Sequence, residues 1–363
     1  MLSPKTKRHL LQIIPFGLGP LVFSITYSLL EKGILGDETT YPSTSNPYQF
    51  SLFTPAILSL LAGLLFGALE VFYLNKLYQK TSLFRKVLLK TGIYFSGLVI
   101  TTMGILIVIN LLQSDLSLSD KQLWIQAGNF FNKLSFWSLI LYFTIALSLP
   151  AFYNEVSDNI GQGVLLNFLT GKYHQPIEEE RIFMFLDMRS STTIAEKLGH
   201  VQYFNMLKAY YADLSDPIVQ FGGEIYQYVG DEVIVSWKLK TAEKNLDCLH
   251  CFFAMQASLQ EQTQKYQETF GVVPTFKAGI HLGEVTTGEI GVIKKDITFS
   301  GDVLNTTARI QGLCNQYKVD LLVSDQLMDV LELGDGLSAK ALGEVELRGR
   351  HERVHVFTVD KRN

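Results

Sequence analysis

Phe185-Leu186-Asp187-Met188-Arg189-Ser190-Ser191-Thr192 is the stretch on which the fold turns. An apolar run ends on a carboxylate and passes at once into small polar residues. Residues 181–186 therefore read as a buried strand, Asp187 as its end, and 192–199 as the helix that follows. The stretch Tyr228-Val229-Gly230-Asp231-Glu232-Val233 places a second aspartate in a different local setting. Gly230-Asp231 lies between two apolar runs and reads as a hairpin turn joining strands 224–229 and 233–237. Between the two aspartates, 201–221 is helical by periodicity, with Gly222-Gly223 as its stop.

Outward from these stretches, strand and helix patterns run on toward the C-terminus. Residues 241–266 read as one helix, and 275–281 with 284–289 as a second hairpin about Gly283. Residues 301–314 are helical, 321–324 form a strand, and 345–348 with 354–359 form late strands. Strands joined by hairpins and broken by helices predict an α+β domain, with helices packed on a mainly antiparallel sheet.

Asp187 and Asp231 are hard oxygen ligands, suited to Mg²⁺ carrying a nucleotide's phosphates. In Asn305-Thr306-Thr307-Ala308-Arg309 an amide and a guanidinium share a helix face at i, i+4 spacing. Such a pair suits a ribose and a phosphate under attack. Met188 to Thr192 runs into a helix N-terminus, whose free N–H groups and dipole favour phosphate. Each feature alone has an ordinary reading: a strand-end Asp is usually a turn or cap residue, and an Asn/Arg pair a solvated helix face. Together they point to closure of a nucleoside triphosphate onto itself.

The chain has 363 residues, enough for about two domains, and its apolar character is uneven. Residues 10–30, 51–69, 91–114 and 134–154 contain no Asp, Glu, Lys or Arg. Each can cross a hydrocarbon core of roughly 30 Å, which takes about 20 helical residues. The expected organisation is a membrane domain at 1–154 with four spanning helices, a connector at 155–180 and a cytoplasmic catalytic domain at 181–363. Lys5, Lys7 and Arg8 precede the first span; Lys76, Lys80, Arg85, Lys86 and Lys90 lie between the second and third. The other loops are mixed or acidic. The positive-inside rule then puts both termini and the catalytic domain in the cytoplasm of a multi-pass plasma (inner) membrane protein, with the lipid bilayer as a partner. The first span is too long for a signal peptide and lacks a clear cleavage site. Its Pro15, Gly17, Gly19 and Pro20 are expected to kink it.

Gly63 and Gly67 form a GxxxG, which serves either a dimer contact through the membrane or packing within one four-helix bundle. Glu70, at the cytoplasmic end of that span, is either functional or merely hydrated. Nothing in the spans suggests a transport path. In the connector, Gly161-Gln162-Gly163 breaks the exiting helix, and 164–169 form a short amphipathic piece. It either passes rotation or tilt to the catalytic domain or acts as a spacer.

A net charge of −4 implies no nucleic-acid surface. The cysteines, Cys248, Cys251 and Cys314, are too few and of the wrong number for a disulfide framework. Cys248-Leu249-His250-Cys251 has no second Cys/His pair, and is read as two small buried helix residues rather than a metal site.

From 181 to 359 the chain resembles the class III nucleotidyl cyclase catalytic domain. The resemblance is carried by Phe185-Leu186-Asp187-Met188-Arg189, Val229-Gly230-Asp231-Glu232, Gly279-Ile280-His281-Leu282-Gly283 and the run from Gly301 to Arg309, in that order. It implies a ferredoxin-like core and a head-to-tail homodimer with active sites in the cleft. Asp187 and Asp231 match the family's metal-binding aspartates, which implies two Mg²⁺ per site with Mn²⁺ able to substitute. Asn305 and Arg309 match its transition-state pair, supplied by the partner chain. Met188, Arg189, Ser190, Ser191 and Thr192 match its phosphate loop, although the family usually has Gly-Phe where this chain has Ser190-Ser191. A C-terminal basic residue, Arg348 in preference to Arg350, is expected on the triphosphate.

Gln227 and Thr298 stand at the family's two purine-reading positions. Adenylyl members commonly carry Lys at the first and Asp, or Thr/Ser, at the second; guanylyl members carry Glu and a Cys-like residue. Thr298 leans to adenine, whereas the Gln227 amide both donates and accepts. The expected function is therefore an adenylate cyclase converting ATP to 3′,5′-cyclic AMP and pyrophosphate. The alternatives are a guanylate cyclase of the same mechanism, or a catalytically weak receptor that binds nucleotide. A diguanylate cyclase, faintly echoed by 229–233, has no use for Asn305 and Arg309.

Overall fold

The computed structural model describes residues 3–41, 48–78, 81–113, 117–161, 163–239, 246–346 and 353–362. The chain divides into two units, one of Thr6–Leu165 and one carrying Leu166–Asn363.

In the first unit, four helices are long and apolar enough to cross a membrane, and each overlaps one expected span. They are α1 (Pro4–Leu35), α2 (Phe53–Leu69), α3 (Leu83–Gln113) and α5 (Leu134–Ile160). The helix assignment of α1 continues through Pro15 and Pro20. A helix absent from the sequence reading, α4 (Lys121–Phe131), lies between the third and fourth membrane-length helices. It buries Leu123 and Ala127 while Trp124 and Ile125 stay exposed. It is too short and too polar to register as a span.

The Gly63/Gly67 stripe faces α1. A Cβ on Gly63 would lie 2.1 Å from the Phe16 carbonyl oxygen, and one on Gly67 2.8 Å from Phe16 Cβ. The stripe thus serves packing within the bundle, since only glycine lets the two backbones approach this closely.

Glu70 is not hydrated. It is fully buried, as is Lys90. Lys90 Nζ donates to Glu70 Oε1 and Glu155 Oε1, both at 2.5 Å, and to Asn75 Oδ1 at 2.7 Å. Tyr94 donates to Glu70 Oε2 at 2.6 Å, and Lys86 reaches Glu155 Oε2 at 3.2 Å. The network therefore ties three membrane-length helices together. A π-helical turn at Glu70–Leu74 continues α2 where the network forms. The three ionised groups lie at the margins of separate apolar runs, so their pairing was invisible in one dimension. Removing Lys90 would leave buried Glu70 without its cation and Glu155 with Lys86 alone. Lys90→Met is therefore expected to destabilise this unit by about 3–5 kcal/mol. Replacing all three groups together (Glu70→Gln, Lys90→Met, Glu155→Gln) should recover much of that loss, as read by thermal unfolding in lipid nanodiscs.

The second unit is built on an eight-stranded sheet in the order β2-β3-β1-β4-β6-β8-β7, with β5 paired to β4. The strands are β1 (Ile177–Met188), β2 (Glu224–Val229), β3 (Glu232–Lys238), β4 (Phe276–Ile290), β5 (Asp296–Ser300), β6 (Leu321–Ser324), β7 (Leu337–Glu346) and β8 (Arg353–Lys361). The pairs are antiparallel except β4 with β6. The expected α+β architecture is present. β1 starts at Ile177, inside the stretch read as connector, and α5 runs to Ile160 before the short α6 (Val164–Thr170).

Alternation along β1 sorts the two faces of the sheet. Ile182, Met184, Leu186 and Met188 join the large core with Met206, Tyr210 and Leu214 of α8 (His200–Gln220) and with Phe252 and Met255 of α9 (Asp247–Glu261). Phe183 and Phe185 face the other way and cluster with Ile234, Val285 and Val303. Asp187 has the parity of Phe183 and Phe185, and so ends that second stripe. Between β1 and α8 lies α7 (Ser191–Leu198), the helix expected after the first aspartate.

Two expectations fail here. The helix expected at 241–266 is interrupted at Gln262, giving α9 and α10 (Thr263–Phe270); its first residues, 241–245, lie outside those described. The second hairpin does not exist, because Gly283 sits mid-strand in β4. Gly283 and Gly279 share a face, and both are pressed by α11 (Asp302–Gly312). A Cβ on Gly283 would lie 3.1 Å from Val303 Cβ, and one on Gly279 2.4 Å from the Gln311 nitrogen. The glycines mark helix approach, not chain reversal.

Cys248 and Cys251 are free, buried core residues of α9, as read from the sequence. Burial pushes the Cys248 thiol up to about 12.

Candidate active site

β1 sets Asp187 opposite Glu232 of β3 and opposite Lys277 of β4. Asp231 precedes Glu232 in the β2–β3 turn, where Gly230 takes a φ of 64°. This places Asp231 next to Asp187 across the β1–β3 pair, near enough for the Asp187 carboxyl to act on it. Burial first, and the Asp187 carboxyl after it, raise Asp231 above the ordinary carboxylate range, against a Ser191 hydroxyl that lowers it. Burial, Asp187 and Asp231 likewise raise Glu232.

Asp231 Oδ2 is buried without a hydrogen-bond partner among the described residues. Two neighbouring carboxyls, one with a buried oxygen left unsatisfied, fit a divalent cation. No cluster of three or more His, Cys, Asp or Glu side chains suited to a metal occurs among the described residues. The remaining coordination would fall to phosphate and water oxygens, as is usual for Mg²⁺.

Without a cation Asp231 opposes folding as it ionises. A carboxyl raised in the folded state contributes stability that is complete below its ordinary value and lost as pH rises through the raised one. Asp231→Asn, which cannot ionise, is therefore expected to raise the unfolding temperature of the chelator-treated protein at neutral pH. The difference from the parent chain should shrink as pH falls toward about 4.

A cavity of about 280 Å³ adjoins Asp187. Asp187, Met188, Arg189, Ser190, Ser191 and Thr192 line it, and so do Lys277 and Asn315. The first turn of α7 offers backbone N–H groups with no intrahelical partner. Ser190 holds a left-handed φ of 57°, a conformation ordinarily given to glycine. The serine adopts it at a cost of about 1 kcal/mol. Arg189 is committed locally: Nε donates to Asp320 Oδ1 at 3.0 Å, Nη1 to Asn315 Oδ1 at 3.1 Å and Nη2 to the Val319 carbonyl at 2.7 Å.

Lys277 was missed in the sequence. Its Nζ lies 3.4 Å from Asp187 Oδ2. The signal was strand parity combined with a register that only pairing reveals. Gln311, also missed, donates from Nε2 to the same Asp187 oxygen at 3.2 Å.

Asn305 and Arg309 sit on α11, with Asn305 exposed. Arg309 Nη1 is buried without a hydrogen-bond partner among the described residues. Within one chain, α11 turns Gln311 to Asp187. With 3.6 residues per turn, Arg309 stands about 160° round the helix from Gln311.

Gln227 is exposed on β2, beside a β-bulge between Ile225 and Gln227. Thr298 is half-buried on β5, a strand the sequence reading did not find, and pairs with Gly288. Their chain neighbours Tyr226 and Phe299 pack together, with ring centroids 4.7 Å apart. Arg348 and Arg350 lie outside the described residues.

Residues 173–360 match the family described as the adenylate and guanylate cyclase catalytic domain. The chain is 35% identical over 221 residues to Adenylate cyclase 2 of Rhizobium meliloti (strain 1021), covering 61% of each protein. It is 28% identical over 183 residues to an adenylate cyclase of Anabaena cylindrica, covering 48% of this chain and 36% of that protein. The chain thus spans less than two thirds of the length of these relatives. Among solved structures, a bacterial light-regulated adenylyl cyclase superposes with a TM-score of 0.52 at 19% identity, covering 63% of this chain and 66% of the other. At that identity the likeness speaks for the fold alone.

Proposed function

The chain belongs to the adenylate and guanylate cyclase catalytic-domain family, and on that footing we propose that it converts ATP to 3′,5′-cyclic AMP and pyrophosphate. The observation that carries the reading is the placing of Asp187 and Asp231 side by side at the end of the β1–β3 pair, with Asp187 lining a polar cavity at a helix start. In the reaction the ribose 3′-oxygen bonds to the α-phosphorus, the bond from that phosphorus to the β-phosphate bridge breaks, and the hydroxyl proton is released. Two Mg²⁺, or Mn²⁺ in their place, supply polarisation of the hydroxyl and neutralisation of the leaving pyrophosphate.

Asp187 and Asp231 are the residues that would hold these ions. Ser191 and Thr192, with the free N–H groups of their helix start, bind the distal phosphates, and Lys277 adds positive charge to the same cavity. Arg189 shapes the loop through its own hydrogen bonds. Asn305 orients the ribose of a nucleotide held by the partner chain, and Arg309 stabilises the charge that develops on its α-phosphate. The facing of α11 supports this sharing, because in its own chain the helix presents Gln311 to Asp187 instead. A homodimer then has two equivalent sites.

The four apolar helices anchor the enzyme in the plasma (inner) membrane, with both termini and the catalytic domain in the cytoplasm, where ATP is available. Thr298 favours adenine; Gln227 is the one feature compatible with guanine. Purified full-length protein incubated with ATP or GTP, each with Mg²⁺ or Mn²⁺, is expected to form mainly cyclic AMP. Dominant cyclic GMP would reverse the base assignment, and no cyclic product from either would overturn the enzymatic reading.

A further inference from the structure

We propose that Gln311 is a positioning residue for Asp187, holding one carboxylate oxygen from behind so that the other faces the metal. The inference rests on the shared-site reading above. Gln311 is 6% exposed, and its Nε2 donates to Asp187 Oδ2 at 3.2 Å. Lys277 Nζ reaches the same oxygen at 3.4 Å. Both groups thus engage Oδ2 from within the chain that owns the aspartate.

The contact is built into the fold. Gly279 stands opposite Phe185 in the β1–β4 ladder, two residues along β4 from Lys277. A side chain on Gly279 would collide with Gln311, with a Cβ only 2.4 Å from its nitrogen and 2.7 Å from its Cα. The bare glycine lets α11 descend onto β4 far enough for the amide to span to Asp187. A neutral donor can orient a carboxylate without neutralising it. One helix then carries both functions. Gln311 serves the Asp187 of its own chain, and Asn305 and Arg309, on another face, serve the nucleotide of the partner.

The test uses two full-length chains, one Asp187→Ala and one Asn305→Ala, which together leave a single complete site. Gln311→Met keeps the side-chain length and removes the donor. Placed on the Asn305→Ala chain, which supplies Asp187, it is expected to raise the half-saturating Mn²⁺ concentration about tenfold. Placed on the Asp187→Ala chain, it should leave that concentration unchanged. Equal shifts in both placements would mean a general structural role, and no shift in either would mean no role; each overturns the proposal.

An activity-free readout accompanies it: Mn²⁺ titration of the otherwise unaltered chain by electron paramagnetic resonance, with 3′-deoxy-ATP, which lacks the reacting hydroxyl. Gln311→Met is expected to weaken Mn²⁺ binding about tenfold, and unchanged binding overturns the proposal. If the parent pair is inactive, the shared-site reading fails while this titration still decides the role of Gln311. Should Gln311→Met not fold, Gln311→Asn, which keeps the amide but shortens its reach, takes its place in both arms.

Discussion

Asp187→Ala and Asn305→Ala chains, each inactive alone, are expected to regain cyclase activity when they are mixed. The first keeps Asn305 and Arg309; the second keeps Asp187 and Asp231. A mixed dimer of the shared-site kind holds one intact site and one that lacks both contributions. Random pairing makes about half of the dimers mixed, each with one of two sites, so recovery should approach about a quarter of parent activity. A chain whose sites were complete within one subunit would show no recovery at any ratio. Co-purification through two different tags confirms that mixed dimers form, so silence despite co-purification would sink the shared site.

Arg309→Ala is expected to lower kcat by about 10²–10³, equivalent to about 2.7–4 kcal/mol of transition-state stabilisation. The guanidinium already carries a buried nitrogen with no partner among the described residues, which is a poor arrangement until an anion arrives. The charge it meets grows as the α-phosphorus becomes five-coordinate, so the loss should fall on kcat more than on the half-saturating metal concentration. Arg309→Lys should recover little, because an ammonium is a point charge without the planar fork. Thermal stability should hold or rise, since a half-buried side chain with one buried, unsatisfied nitrogen is removed. A fall in stability parallel to the fall in kcat would mark Arg309 as a packing residue instead.

Much of the site was legible in one dimension because its chemistry is local. Asp187 ends an apolar strand and opens into a helix start, and Asp231 sits in a hairpin turn; neighbours in the chain dictate both settings. Asn305 and Arg309 need only helical periodicity to share a face. The four membrane-length helices follow from long runs without charge. What could not be read were contacts between residues far apart in sequence. Lys277 and Gln311 both converge on Asp187, yet each looks like an ordinary strand or helix residue until β1 pairs with β4 and α11 settles on Gly279. Glu70, Lys90 and Glu155 belong to three different helices and become one network only in the bundle. Gly283 misled for the same reason: a glycine required for a turn and one required for close approach are the same letter.

The amino-acid sequence by itself determined the α+β class, the order of most elements, the membrane-length helices and the local settings of the two aspartates. Local backbone preference and hydrophobic period suffice for these. Tertiary structure alone decided that a GxxxG packs inward, that a membrane-margin glutamate is buried in an ion network, and that an amide on α11 grips the aspartate of its own chain. Those outcomes depend on how closely backbones approach and on strand register, quantities set by the packing of many residues at once.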